Sequence, residues 1–273
     1  MPLRHLKNLF FQPPPPAPKP VRQGVYWEGN HELWELAQTL CPKGYSDEQI
    51  LDRVREATLK VKRGEAAYER DSVTFDEIQH NWAMLAHLFY VAMQHQGQLY
   101  VIDFGGALGS LYFQHRAYLN DLSDFRWTVV EQPHFVRCGQ KEVAFENLYF
   151  AYTVEEAIHS SIAHVLVLSG VLQYLPDPYA TITKLKKHRF PYLIIDRTAF
   201  IEDAPDRLTI QHTPEAIIQS AYPAWFFNKD RFLAAFAEDY EILATFDSGY
   251  TPPFQLEDDK RGYWYGFVLK RKP

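Results

Sequence analysis

The residues best suited to chemistry lie in one stretch, Asp103-Phe-Gly-Gly-Ala-Leu-Gly-Ser110, followed by an acid, Glu131, 22 residues after Gly109. Gly105 and Gly106 let the backbone turn tightly and approach a ligand, and Gly109 lets the next segment pack closely on the preceding one. Where such a turn opens a helix, the helix's first amides point at whatever occupies the turn. Glu131 is placed to accept hydrogen bonds from both hydroxyls of a ribose. Nicotinamide sites favour G-x-G-x-x-G, which leaves room for a pyrophosphate on the helix end; the spacing here is Gly105-Gly106-x-x-Gly109. A carboxylate as close as Asp103 repels a pyrophosphate but suits a ligand bearing an ammonium and a sulfonium. S-adenosylmethionine (SAM) is the expected cofactor, and a nicotinamide-dependent oxidoreductase is the alternative.

The elements that must position these residues follow from apolar spacing. Leu99–Phe104, Trp127–Glu131, Leu148–Ala151, Val165–Ser169 and Tyr192–Asp196 read as short buried strands. Helical stretches over 110–119, 134–144, 154–160 and 178–187 separate them, which implies βαβ units and a parallel sheet. Thr153-x-x-Glu156 is a capping box, and Asn228 caps a helix carrying Phe232, Leu233, Phe236 and Tyr240. Glu241–Phe246 and Tyr263–Lys270 then read as an antiparallel pair. Before the first strand, residues 31–96 read as helices, opened by capping boxes at Ser46-x-x-Gln49 and Thr74-x-x-Glu77. Ile78, Trp82, Leu85, Phe89 and Ala92 trace an apolar stripe there, and Tyr68–Ser72 reads as a polar loop. The organisation is a Pro-rich flexible leader over 1–23, a helical cap over 24–98 and a SAM-binding α/β domain over 99–273. The fold class is Rossmann-like: a seven-stranded, mostly parallel sheet with an antiparallel C-terminal pair.

Asp103-Phe-Gly-Gly-Ala-Leu-Gly-Ser, Val129-Val-Glu-Gln-Pro133, Leu168-Ser-Gly-Val-Leu-Gln-Tyr-Leu-Pro-Asp-Pro178 and Ile194-Ile-Asp-Arg-Thr198 together resemble a family of SAM-dependent methyltransferases. That family is associated with bacterial surface-polysaccharide biosynthesis. Tyr68-Glu-Arg-Asp-Ser72, and Tyr222-Pro223 with Trp225, are similar to its motifs, and the resemblance spans roughly residues 24–270. It implies that Asp103 and the backbone of Gly105, Gly106 and Gly109 hold the methionine end, that Glu131 takes the ribose, and that Gln132 and Tyr152 border the adenine. Ser169 and Gly170 end the fourth strand, where ligands gather in open α/β sheets.

Methyl transfer to oxygen needs an in-line approach and often a base for the hydroxyl proton. Tyr174, Asp196 and His212 are the candidates for that role, since they lie at or after strand ends and His212 has a suitable natural pKa. Arg70 and Arg197 are candidates for binding the acceptor, and Tyr222 and Trp225 could present a flat apolar wall to a sugar. The expected acceptor is a small polar molecule, a hydroxyl of a sugar or sugar-linked intermediate. A non-catalytic SAM-binding scaffold is the other alternative.

Composition bounds these readings. The 273 residues carry a net charge of −6 and are 47% hydrophobic, enough for a real core in one large domain or two small ones. Arg4, Lys7, Lys19 and Arg22 give the leader +4, so the remainder holds −10. So acidic a body is badly suited to gripping a polyphosphate, and no nucleic-acid partner is expected. No stretch approaches the roughly 20 apolar residues of a membrane span. Two cysteines and no Cys/His cluster or acidic loop argue against a metal site or a disulfide framework. The N-terminus lacks a signal-peptide pattern, which makes the cytoplasm the expected compartment.

Overall fold

The computed structural model describes residues 24–41, 48–160, 162–214, 220–248 and 254–273. The leader, Ser46 of the first capping box, and Gly249, Pro252 and Pro253 lie outside the described residues. In chain order the elements are β1 (Tyr26–His31), α1 (Trp34–Thr39), α2 (Glu48–Arg63), β2 (Tyr68–Arg70), β3 (Val73–Phe75), α3 (Trp82–Gln94), β4 (Gln98–Phe104) and α4 (Ser110–Leu119). Then come β5 (Asp124–Val130), α5 (Pro133–Cys138), β6 (Leu148–Ala151), α6 (Val154–Ser160), β7 (Val165–Ser169), α7 (Pro178–Lys186) and β8 (Tyr192–Ile201). The chain ends with β9 (Arg207–Thr213), β10 (Ser220–Asn228), α8 (Lys229–Ala234), β11 (Tyr240–Asp247), β12 (Phe254–Gln255) and β13 (Arg261–Arg271).

Strands β4 to β8 are parallel and lie in the order β6-β5-β4-β7-β8. Antiparallel β13 follows β8 and is flanked in turn by β11. This is the Rossmann-like arrangement, with its C-terminal antiparallel pair. Alternation sorts the core into two layers. Leu99, Val101, Trp127, Val129, Val165 and Val167 meet α2, α3, α4 and α5 on one face. Ile102, Val130, Leu166, Leu168, Leu193 and Ile195 meet α6, α7 and α8 on the other. Each such side chain, fully buried, contributes about 1.5–3 kcal/mol.

The sheet is larger than seven strands. β8 runs on to Ile201, and its far end pairs with β10, which carries β9 and then β1, so that the described sheet has 11 strands. The segment 24–98 is therefore not wholly helical. β1 joins the main sheet, and Tyr68–Ser72 forms most of a β2–β3 hairpin. Its turn is Asp71-Ser72, both with positive φ (53° and 70°), the requirement of a two-residue turn matched to strand twist. Thr74 lies in β3 and caps no helix. α3 starts eight residues later, where the Asn81 side chain accepts the Met84 N–H at 3.0 Å. The buried face of α3 is Met84, Leu85, Leu88, Val91 and Ala92, whereas Trp82 is 59% exposed. The late capping signals fare better: Thr153 accepts the Glu156 N–H at 3.1 Å, and Asn228 accepts that of Arg231 at 2.9 Å.

Candidate functional site

The ends of β4, β5, β6 and β7 bring Asp103, Glu131, Gln132, Tyr152, Ser169 and Gly170 to one edge of the sheet, around the turn from Gly105 to Gly109. Gly105 has φ +74°, and a Cβ there would overlap Val171. Gly106 packs against the Asp103 carboxyl so closely that a Cβ would overlap it. Gly109, at φ +90°, precedes α4, and its Cβ would stand 3.0 Å from Leu148 of β6. Glycine at these positions lets the turn pack directly against Val171, Asp103 and Leu148.

Asp103 is 1% exposed. Its Oδ2 accepts the Trp127 indole N–H at 3.0 Å, while Oδ1 is buried with no hydrogen-bond partner among the described residues. Burial, reinforced by the charge of Glu131, pushes this carboxyl up to about 7 against the opposing Trp127 bond. Glu131 stands just past β5 and turns back over the cradle, accepting from the backbone N–H groups of Gln132 and Ala107. Burial raises it, too, to about 7. Two carboxyls that burial raises to about 7, one with an oxygen that has no hydrogen-bond partner among the described residues, fit an ammonium- and sulfonium-bearing ligand. They are a poor fit for a pyrophosphate, which would add charge of the same sign. Gln132 is the N-cap residue of α5 ahead of Pro133, and Tyr152, 41% exposed, follows β6.

The other side of the edge is built on β8, β9, β10 and the hairpin. Arg197 leaves the parallel part of β8 with φ +48° and donates to Asp71 in the hairpin turn at 2.9 Å. Asp71 is thus tied to Arg197, and the neighbouring Arg70 guanidinium lies over the Phe75 ring at 5.5 Å. Tyr174 donates to Gln211 Oε1 at 3.0 Å, and Gln211 Nε2 donates to the Tyr222 hydroxyl at 2.9 Å. The rings of Tyr174 and Tyr222 meet edge to face at 5.3 Å. Burial pushes both phenols above their usual range, with the charge of Asp71 adding to it.

Three expectations on this side need correction. Asp196 is fully buried and its carboxyl is saturated: Ser248 donates to Oδ1 at 2.8 Å, and Asn81 and Ser169 donate to Oδ2 at 2.8 and 3.5 Å. Through Asn81 it anchors α3 to the sheet, so its hydrogen bonds are internal ones. His212 alternates with Gln211 along β9 and so faces away from Tyr174 and Tyr222; it stacks on Tyr26 at 4.6 Å and lies 3.2 Å from Glu28. Trp225 is three residues from Tyr222 on β10, an odd step that puts it on the opposite face, where its indole donates to Leu175 O at 3.2 Å. Sequence reading missed Glu69, Gln211, Ser248 and Asn81. The alternation of Leu208 and Ile210 with Thr209, Gln211 and Thr213 was a readable strand signal for Gln211. Among the described residues, no group of three or more His, Cys, Asp or Glu could hold a metal.

No family model matches the chain, and no curated protein matches it. Solved structures do overlap with it. The N-terminal domain of EvdMO1, determined with SAH and D-fucose, is 14% identical, with a TM-score of 0.45 over 85% of this chain and 100% of that one. The 1,6-didemethyltoxoflavin-N1-methyltransferase of Burkholderia thailandensis is 14% identical, with a TM-score of 0.40 over 85% of this chain and 92% of that one. The glycopeptide N-methyltransferase MtfA, complexed with sinefungin, is 10% identical, with a TM-score of 0.45 over 69% and 87%. Overlaps this loose add no weight to the residue-level reading of the site.

Proposed function

We propose that the chain is a SAM-dependent methyltransferase acting on a small polar acceptor in the cytoplasm, a hydroxyl of a sugar or sugar-linked intermediate. The observation that carries this reading is the Asp103 carboxyl locked under Gly106 with a buried, unpartnered Oδ1, facing Glu131 across the glycine turn. The bound cofactor would supply a methyl group activated on a sulfonium. Asp103 would favour the positive charge at the methionine end, and Glu131 would accept from the ribose hydroxyls. Tyr174, Gln211, Tyr222 and Arg197 offer hydroxyl, amide and guanidinium groups that suit a polyhydroxylated acceptor. With Asp196 saturated and His212 turned away, positioning of the acceptor in line is the main catalytic contribution left to the protein.

The engagement of the Tyr174 hydroxyl and the Asp196 carboxyl in internal hydrogen bonds also favours a second reading, a SAM-binding protein without turnover. Calorimetry with SAM, SAH and NAD, then SAM-dependent mass gain across a panel of sugars and sugar nucleotides, separates the possibilities. Binding of SAM and SAH at micromolar strength, with none for NAD, is expected; tight NAD binding alone would sink the SAM reading. Glu131→Ala removes up to two charge-assisted hydrogen bonds, each worth about 1.5–3 kcal/mol, and should weaken SAM at least about tenfold.

A further inference from the structure

Glu69, in the hairpin strand β2, is a third acid at the same glycine turn. It is 1% exposed. Its Oε1 accepts the hydroxyl of Ser110, the first residue of α4 and the one immediately after Gly109. Its Oε2 is buried with no hydrogen-bond partner among the described residues, although the Ser72 N–H lies near enough to favour the charged form. Asp103 beneath Gly106 and Glu69 beyond Gly109 therefore flank the turn, each with one orphaned oxygen. A buried carboxyl oxygen without a donor is costly, and a hairpin that needed only a polar tether to Ser110 would be served by an amide.

We propose that Glu69 recognises the amino-acid end of the cofactor by accepting its α-ammonium, the hairpin thereby closing over that end. This rests on the SAM reading above. The contact to Ser110 puts Glu69 on the cradle side of the hairpin, whereas the turn residue Asp71 is tied to Arg197 on the acceptor side. An ammonium supplies the donor that Oε2 lacks and the charge that a buried carboxylate requires. Burial raises Glu69 to about 7, and an adjacent cation would favour its charged form.

The test is calorimetry on the full chain with two probes. SAH carries the amino-acid end; 5′-methylthioadenosine shares the nucleoside and thioether but lacks it. In Glu69→Gln, SAH should bind roughly tenfold to a hundredfold more weakly, while 5′-methylthioadenosine changes less than about twofold. Equal weakening of both probes would show a merely structural role and overturn the proposal, as would unchanged SAH affinity. Should Glu69→Gln not fold, the wild-type protein decides: SAH lacking its α-amino group should bind at least about tenfold more weakly than SAH, and equal binding overturns the proposal. A wild-type protein that binds none of these adenosine ligands would overturn the SAM reading and this proposal with it, an outcome distinct from the others.

Discussion

The cradle takes its glycines and two of its carboxyls from residues 103–131, one continuous strand-turn-helix-strand passage, and a third carboxyl, Glu69, from the hairpin; the wall facing it is assembled from the hairpin turn, the residues after β7, the end of β8, and two strands beyond it. The cradle is also the electrostatically unfinished half. Asp103 and Glu69 each have an oxygen with no hydrogen-bond partner among the described residues, and Asp103, Glu131 and Glu69 are pushed up to about 7. On the wall, Trp27 and Tyr174 both donate to Gln211 Oε1 at 3.0 Å, Gln211 donates to Tyr222, and Asp196 holds three donors. A half that lacks donors calls for a ligand with donors and positive charge. The paired groups of the wall instead shape a surface. The difference separates cofactor affinity, which should depend steeply on a few cradle residues, from acceptor recognition, which should be spread over many.

The sharpest break in the comparison is Gly106→Ala. The new Cβ overlaps the Asp103 carboxyl, which cannot swing aside because it is buried and bonded to Trp127. Overpacking of this kind costs about 1–3 kcal/mol in stability, and displacing the carboxyl should reduce SAM affinity by about a hundredfold or more. Melting temperature and calorimetry check the two effects. A folded Gly106→Ala protein with unaltered SAM affinity would show that the turn does not hold the cofactor.

Protons should reveal the same asymmetry with a smaller effect. A free carboxyl ionises near 4, but Asp103 and Glu131 stay protonated in the folded, empty protein up to about 7. The folded state thus binds more protons between about 4 and 7, so these groups make the empty protein less stable as pH rises through that window. A cationic ligand reverses the preference. SAM binding should release protons and tighten roughly tenfold between about pH 6 and pH 8, read by calorimetry in buffers of different ionisation enthalpy. Affinity that falls over this range would mean the two acids do not face the positive charge.

How much of this was legible in the sequence follows the same division. Strands β4 to β8, the glycine turn and Glu131 are local patterns, each with its apolar run, its turn residues and its acid within a few positions. The sheet extension is not local: β1 finds β9 across 184 positions of the chain, Trp27 to Gln211, and nothing in either segment alone names its partner. Reading 31–96 as helical failed at Val73-Thr-Phe75, where β-branched and aromatic residues favour a strand and outweigh the capping pattern at Thr74. Asp196 and His212 are singled out by their places at or after a strand end, and His212 by its natural pKa as well. Only the register shows that one is saturated by Ser248, Asn81 and Ser169, and that the other is an odd step away from Gln211.

The smallest effects belong on the wall, and they sharpen the comparison by sorting its two faces. Tyr222→Phe removes the hydroxyl that takes the Gln211 amide proton, leaving Gln211 Nε2 without that acceptor. The variant should lose about 1–3 kcal/mol of stability. With an acceptor substrate in hand, KM for that acceptor should rise severalfold while SAM affinity stays within about twofold of wild type. His212→Ala, one residue along from Gln211 and on the other face of β9, loses only the Tyr26 stack and the Glu28 contact. Partly exposed contacts of this kind are worth about 1 kcal/mol or less, so turnover should stay close to that of wild type, where loss of a positioned base would cost about 10²–10⁴. Measuring kcat, acceptor KM and SAM affinity on both variants reads the faces separately. A collapse of kcat in His212→Ala with SAM affinity intact would place the acceptor against the Tyr26 face and reverse this assignment of the wall.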